Sequence, residues 1–85
     1  MPYIAKELRD KYRNVLRNLP DIETKGDLEY CVYWLLKKYM VNRPFKYTEL
    51  HEAVYGVIHA GEEFKRQNLD KREDQAKEMN GDIEL

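Results

Sequence analysis

The sequence predicts an all-α protein, a small three-helix core followed by a charged helical segment at the C-terminal end. Three observations carry this prediction. Apolar residues recur at steps of three and four in three separate stretches, which is the period of one helix face. No stretch reads as a strand. The breakers Pro20, Gly26 and Pro44 fall between the periodic stretches rather than inside them.

With 85 residues the chain is long enough for one small domain. Hydrophobic residues make up 42% and charged residues 36%. A domain of this size buries only a modest share of its unfolded surface, so its own core gives thin stability and association with a further copy is expected.

The first helix is expected over about residues 4–19. Ile4, Leu8, Tyr12, Val15, Leu16 and Leu19 share one face, and Lys6, Arg9, Arg13 and Arg17 lie opposite. Pro20 cannot continue it. Asp21 to Gly26 is a polar connector in which Gly26 allows a sharp turn, and Asp27 is the expected N-cap of the next helix. That second helix is expected over about 28–41, with Leu28, Cys31, Val32, Leu35, Leu36 and Tyr39 as its stripe. Asn42, Arg43 and Pro44 close it.

Thr48 is the expected N-cap of a third helix over about 48–68, with Glu49 favoured in the first turn by the helix dipole. Leu50, Val54, Val57, Ile58 and Phe64 lie on its apolar side, and Ala53, Gly56 and Ala60 form a flank that lets another backbone approach closely. After Phe64 the apolar content collapses. Either the chain turns near Asn68, with Asp70 and Glu73 as the capping box of a fourth helix over about 70–79, or the third helix runs on to Met79. Asn80 and Gly81 end it in both cases.

The second helix is apolar on two sides. At about 100° per residue, Tyr30, Tyr33 and Trp34 fall opposite the main stripe, with Lys37 in the middle of that aromatic face and Lys38 at its edge. A helix that is apolar all round is buried all round. The aromatic face is therefore covered by the rest of the chain, by another subunit, or by a ligand or partner protein. Aromatic rings suit an interface because they bring large area and a polar tip. Rings beside ammonium groups also suit a nucleotide, whose base stacks while its phosphate meets Lys37 or Lys38, or an arginine such as Arg13 or Arg17.

Charge is unevenly distributed. Residues 1–47 carry ten basic groups against six acidic, and residues 48–85 carry five against ten. The total is −1, which argues against a polybasic nucleic-acid binder, while a dipolar chain attracts a copy of itself. No apolar run reaches membrane-spanning length, and no signal pattern opens the chain.

Catalytic constellations are sparse. The chain has no serine, so a Ser-His-Asp triad is excluded. No glycine-rich phosphate loop is present. Cys31 lies on the apolar stripe and reads as a packing residue. His51 and His59 stand about 12 Å apart along a helix and cannot share one metal ion. Glu49 and Glu52 make one acidic pair at one-turn spacing, but the second pair that a helical pyrophosphohydrolase needs to hold magnesium is missing. These residues predict a protein that is not an enzyme and has no cofactor.

Several motifs together resemble a known family. The chain opens on MPYI. It carries GDLEY at residues 26–30, LLKKYM at 35–40, YTELHEAVYGVIHAGEEFKR at 47–66, and NGDI at 80–83. This pattern resembles a family of short prokaryotic and phage helical proteins of unassigned function. Glu29 stands where that pattern has Asn, and Gln67–Leu69 lacks its Val-Ala-Pro turn, which favours a longer continuous helix here. The resemblance implies a cytoplasmic protein of a prokaryotic or phage-infected cell. It carries over no activity and no site residue.

The functional expectation is a non-enzymatic homo-oligomeric binding protein. In its sharpest form it is a phage counter-defence sponge that sequesters a nucleotide-derived immune signal. The alternative is a protein-interaction module that inhibits or bridges a protein partner such as a host defence protein. Inter-subunit clefts lined by Tyr30, Tyr33, Trp34 and Lys37 would favour the first, and dry apolar contacts the second.

Overall fold

A computed structural model describes residues 2–83 of the chain. Among the described residues it is all-α: α1 (Lys6–Arg17), α2 (Lys25–Met40), α3 (Tyr47–Phe64), a π-helical segment (Lys65–Leu69) and α4 (Asp70–Asn80).

α1 is shorter at both ends than its apolar pattern suggests. Ile4 belongs to a non-helical lead-in, where its carbonyl accepts a hydrogen bond of 2.8 Å from Arg9 Nε. The helix stops at Arg17, with Asn18 as C-cap, because residues just before a proline avoid the helical region.

α2 starts earlier than expected, and its N-cap is Thr24, not Asp27. Thr24 Oγ1 accepts from the Asp27 backbone N–H at 3.0 Å, and the Asp27 carboxylate accepts in turn from the Thr24 N–H at 3.3 Å. This is the reciprocal capping box in which two otherwise orphaned donors are satisfied together. Gly26 thus sits in the first helical turn rather than in a connector.

Arg43 welds the end of α2 to the start of α3. Its guanidinium lies 3.6 Å from the Tyr39 ring centroid and 3.7 Å from the Glu49 carboxylate. Thr48 is inside α3 and not its cap. Lys46 occupies that position with extended backbone and no side-chain capping bond, and its carbonyl accepts from Leu50 N–H.

No turn forms near Asn68. The backbone instead widens into a π-helical segment whose last hydrogen bond runs from the Asp70 N–H to the Lys65 carbonyl, one residue longer than an α-helical bond. Lys65 Nζ spans the same step to Asp70 at 2.7 Å, and the Asn68 amide donates to the Phe64 carbonyl. Asp70 has helical backbone with helical residues on both sides, so it caps nothing. α3, the π segment and α4 form one rod of about 50 Å, the length that about 1.5 Å per residue gives. The molecule's longest dimension is 51 Å. Gly81, at φ 84°, ends the rod in the left-handed region that a glycine tolerates.

The three helices do not close around a common interior within one chain. α2 and α3 pack as a hairpin, and α1 is packed against neither. Ala53, in the α2–α3 contact, is the one buried hydrophobic residue among those described. The reading of the aromatic face as intramolecular core is overturned, since Tyr30, Tyr33 and Trp34 are 66, 63 and 53% exposed. The radius of gyration is 17.0 Å, against about 12 Å for a compact chain of this length. The accessible surface is 8321 Å², whereas a compact monomer of this mass exposes about 5,400 Å².

Candidate functional site

The α2–α3 hairpin has an open apolar groove on each side. The first, about 390 Å³, is lined from α2 by Tyr33, Leu36, Lys37 and Met40, from the connector by Val41 and Phe45, and from α3 by Leu50, Ala53 and Val54. The second, about 430 Å³, is lined by Val32, Leu35, Leu36 and Tyr39 against Glu52, Ala53, Gly56, Val57 and Ala60. Leu36 and Ala53 border both, so they form the floor where the two helices touch.

Of the residues singled out from the sequence, Tyr33 and Lys37 reach the first groove together. Lys37 Nζ sits 5.8 Å from the Tyr33 ring centroid and 5.2 Å from that of Trp34. An ammonium held over two ring faces is attracted by their negative quadrupoles, a contact worth about 0.5–1 kcal/mol when exposed. Trp34 therefore flanks the groove through Lys37. Tyr30 and Lys38 are on α2 but do not line it. Arg13 and Arg17 lie on α1, which is packed against neither wall, and Arg13 is paired with Asp10 at 2.9 Å. The structure thus assembles an aromatic–lysine face on α2, while the arginines are not brought to it within one chain.

Three features were missed from the sequence. Phe45, 82% exposed, extends the first groove from a loop where no periodicity marks it. A ladder of rings runs along one side of α3: Tyr47–His51 at 5.6 Å, His51–Tyr55 stacked at 4.2 Å, and Tyr55–His59 at 6.0 Å. Its signal was readable, because the four rings recur at steps of four, and side chains at that spacing are neighbours on a helix.

The third feature ties the start of the described chain to the end of α3. Tyr3 Oη donates to Glu63 Oε1 at 2.9 Å, and Glu63 also accepts from Arg66 Nη2 at 2.6 Å and from the Gln67 amide at 3.2 Å. The Arg66 hydrogen bond first, and that from Tyr3 second, pull the Glu63 carboxyl down to about 2. The same bond pushes the Tyr3 phenol up, because its proton is held by a carboxylate. Tyr3 thereby fixes the lead-in to α1 against the junction of α3 and the π segment. The histidines are part of the ring ladder, and no group of three or more metal-ligating side chains forms among the described residues.

The arrangement defines a class: a small all-α protein built on an open helical hairpin, with apolar grooves and an aromatic–lysine face where a larger domain would have a core. The chain belongs to the family described as "Domain of unknown function (DUF6899)", which matches residues 1–83. No curated protein and no solved structure matches it. No helix among the described residues is long and apolar enough to cross a membrane.

Proposed function

We propose that this protein acts by association, as a non-enzymatic self-associating interaction module whose helical hairpin is completed by other subunits. One observation carries the reading. The single chain leaves about 2,900 Å² more surface in water than a compact monomer of its mass would, and that surface holds its aliphatic and aromatic residues. Monomeric proteins rarely leave contiguous apolar patches of more than a few hundred Å² in water. An assembly is the ordinary way to cover such an excess.

The Lys37 ammonium over Tyr33 and Trp34 supports a second, more specific reading. Once subunits assemble, this face offers stacking surfaces and a cation to an aromatic anion. In that form the protein is a sponge for a nucleotide-derived signal, in the manner of a phage counter-defence factor. The apolar lining of both grooves favours protein contacts over this reading.

Native mass spectrometry of the full chain purified from cells tests both. The association reading expects a dimer or larger. The sponge reading adds retained mass of nucleotide size, together with calorimetric binding of cyclic dinucleotides or ADP-ribose derivatives that Lys37→Ala weakens. A clean monomer contradicts the first reading. An assembly that binds none of these ligands at tens of micromolar contradicts the second.

A further inference from the structure

We propose that α1 of a second copy occupies the groove between α2 and α3 on its Tyr39–Gly56 side, and that the exchange is reciprocal. Two chains then complete each other's three-helix interior. This rests on the self-association reading above and specifies the contact that makes it.

Both halves of the contact are present and unpartnered in one chain. The groove is about 430 Å³, walled by Val32 and Tyr39 on one side and by Gly56 and Ala60 on the other. A methyl group placed at Gly56 would meet nothing within 4 Å, so the wall is open there. The complementary body is α1, a helix with one apolar face. Its Leu8, Tyr12 and Val15 are 52, 48 and 67% exposed and packed against neither α2 nor α3.

Length and charge match as well. The α1 stripe from Leu8 to Leu16 measures about 12 Å, and the groove runs about 12 Å along α3 from Glu52 to Ala60, so the two match in length. Glu52 borders the groove, and Lys11 flanks the α1 stripe, its ammonium 5.1 Å from the Tyr12 ring centroid. Neither has an ion-pair partner among the described residues. With the stripe seated, Lys11 of one copy meets Glu52 of the other, so the contact brings opposite charges from the two halves of the sequence together.

Area points the same way. Obligate dimers bury about 2,000–5,000 Å² in total, and an excess of about 2,900 Å² per chain accommodates that. In a two-fold pair each chain gives its α1 and receives its partner's, so the same contact forms twice. The Tyr3–Glu63 bond starts α1 at the Ala60 end of its own groove, from which the helix leads away.

The test uses Val15→Asp, which spoils the apolar face of α1, and Gly56→Leu, which fills the groove, each in the full chain. Val and Asp have similar helix propensity, so the first change acts through the apolar face. Each variant alone should self-associate at least tenfold more weakly than wild type, the ratio that burial of one valine side chain implies. Mixing the two should give a one-to-one complex tighter than either variant's own pair, because one of its two contacts joins an intact α1 to an intact groove while both changes fall in the other. Gly56→Ala adds a test of sign. In an open groove alanine only improves the helix; in a filled groove it weakens association severalfold.

Wild-type association by both single variants would overturn the inference and leave self-association standing through the α2 aromatic face. Loss of stability without rescue on mixing would overturn it in favour of α1 closing over its own groove. A monomeric wild type would remove the self-association reading and this inference together.

Discussion

Replacing Trp34 with alanine tests whether the aromatic face of α2 is a contact between subunits in addition to the groove on its other side. Trp34 is 53% exposed in the single chain, and the Lys37 ammonium lies 5.2 Å from its ring centroid. For a lone chain the substitution therefore removes little more than an exposed cation–π contact, about 0.5–1 kcal/mol. For an assembled chain the ring has a further half of about 250 Å² to bury. Roughly 130 Å² at about 25 cal/mol per Å² is about 3 kcal/mol, or about a hundredfold in the association constant. Sedimentation equilibrium reads that constant, and far-ultraviolet circular dichroism at matched concentration reads helix content. The expected result is a large loss of association with α2 and α3 still helical at high concentration. A Trp34→Ala chain that associates within twofold of wild type would refute the assignment of this face to an interface.

Other expectations follow from particular bonds. Thr24→Ala should cost about 1 kcal/mol, as for loss of a helix N-cap, and lower the thermal midpoint by several degrees; an unchanged midpoint would mean that the capping box contributes nothing. The Glu63 carboxyl is lowered from 4.5 to about 2 in the fold, so its contribution is fully present above about pH 4.5 and disappears as pH falls toward about 2. The stability difference between wild type and Glu63→Gln should therefore shrink across that acid window, and a difference independent of pH would contradict the ionised Tyr3–Glu63–Arg66 cluster. Incubation with nucleotides and divalent metals should leave the nucleotides intact. Turnover that vanishes with Glu49→Ala would identify an enzyme instead.

Periodicity made the helices legible, and local chemistry decided their ends. Three stripes at steps of three and four, interrupted at Pro20 and Pro44, are enough to place α1, α2 and α3. Their first residues depend on which polar side chain wins a backbone N–H. At α2 both Thr24 and Asp27 are good caps, and the spacing of three lets them act together, which moves the start upstream of Gly26. The stretch around Asn68 is too polar for periodicity to speak. The Lys65–Asp70 bridge, set at five residues, fits the wider turn that keeps the rod unbroken.

The candidate site was legible as a face rather than as a groove. The 100° rotation per residue places Tyr33, Trp34 and Lys37 together, and the Lys37 cation–π contacts follow from that. Phe45 joins them only through the path of the connector. Tyr3 and Glu63 are 60 residues apart and meet through tertiary placement that no local pattern encodes. That the chain would lack an interior of its own was foreshadowed by the two-sided apolarity of α2, but the exposed stripe of α1 was read as core because amphipathic helices usually find their partner within the same chain.

The dependence of thermal unfolding on protein concentration tests most directly whether this fold is completed by association. A folded state held together by other copies is stabilised by mass action, so its midpoint rises with concentration. Calorimetric scans from about 1 to 100 µM should move the midpoint upward by several degrees, with one cooperative transition at the high end. A sharp transition at the same temperature throughout, from a species of 10.3 kDa, would show that the single chain is stable alone and would contradict the account.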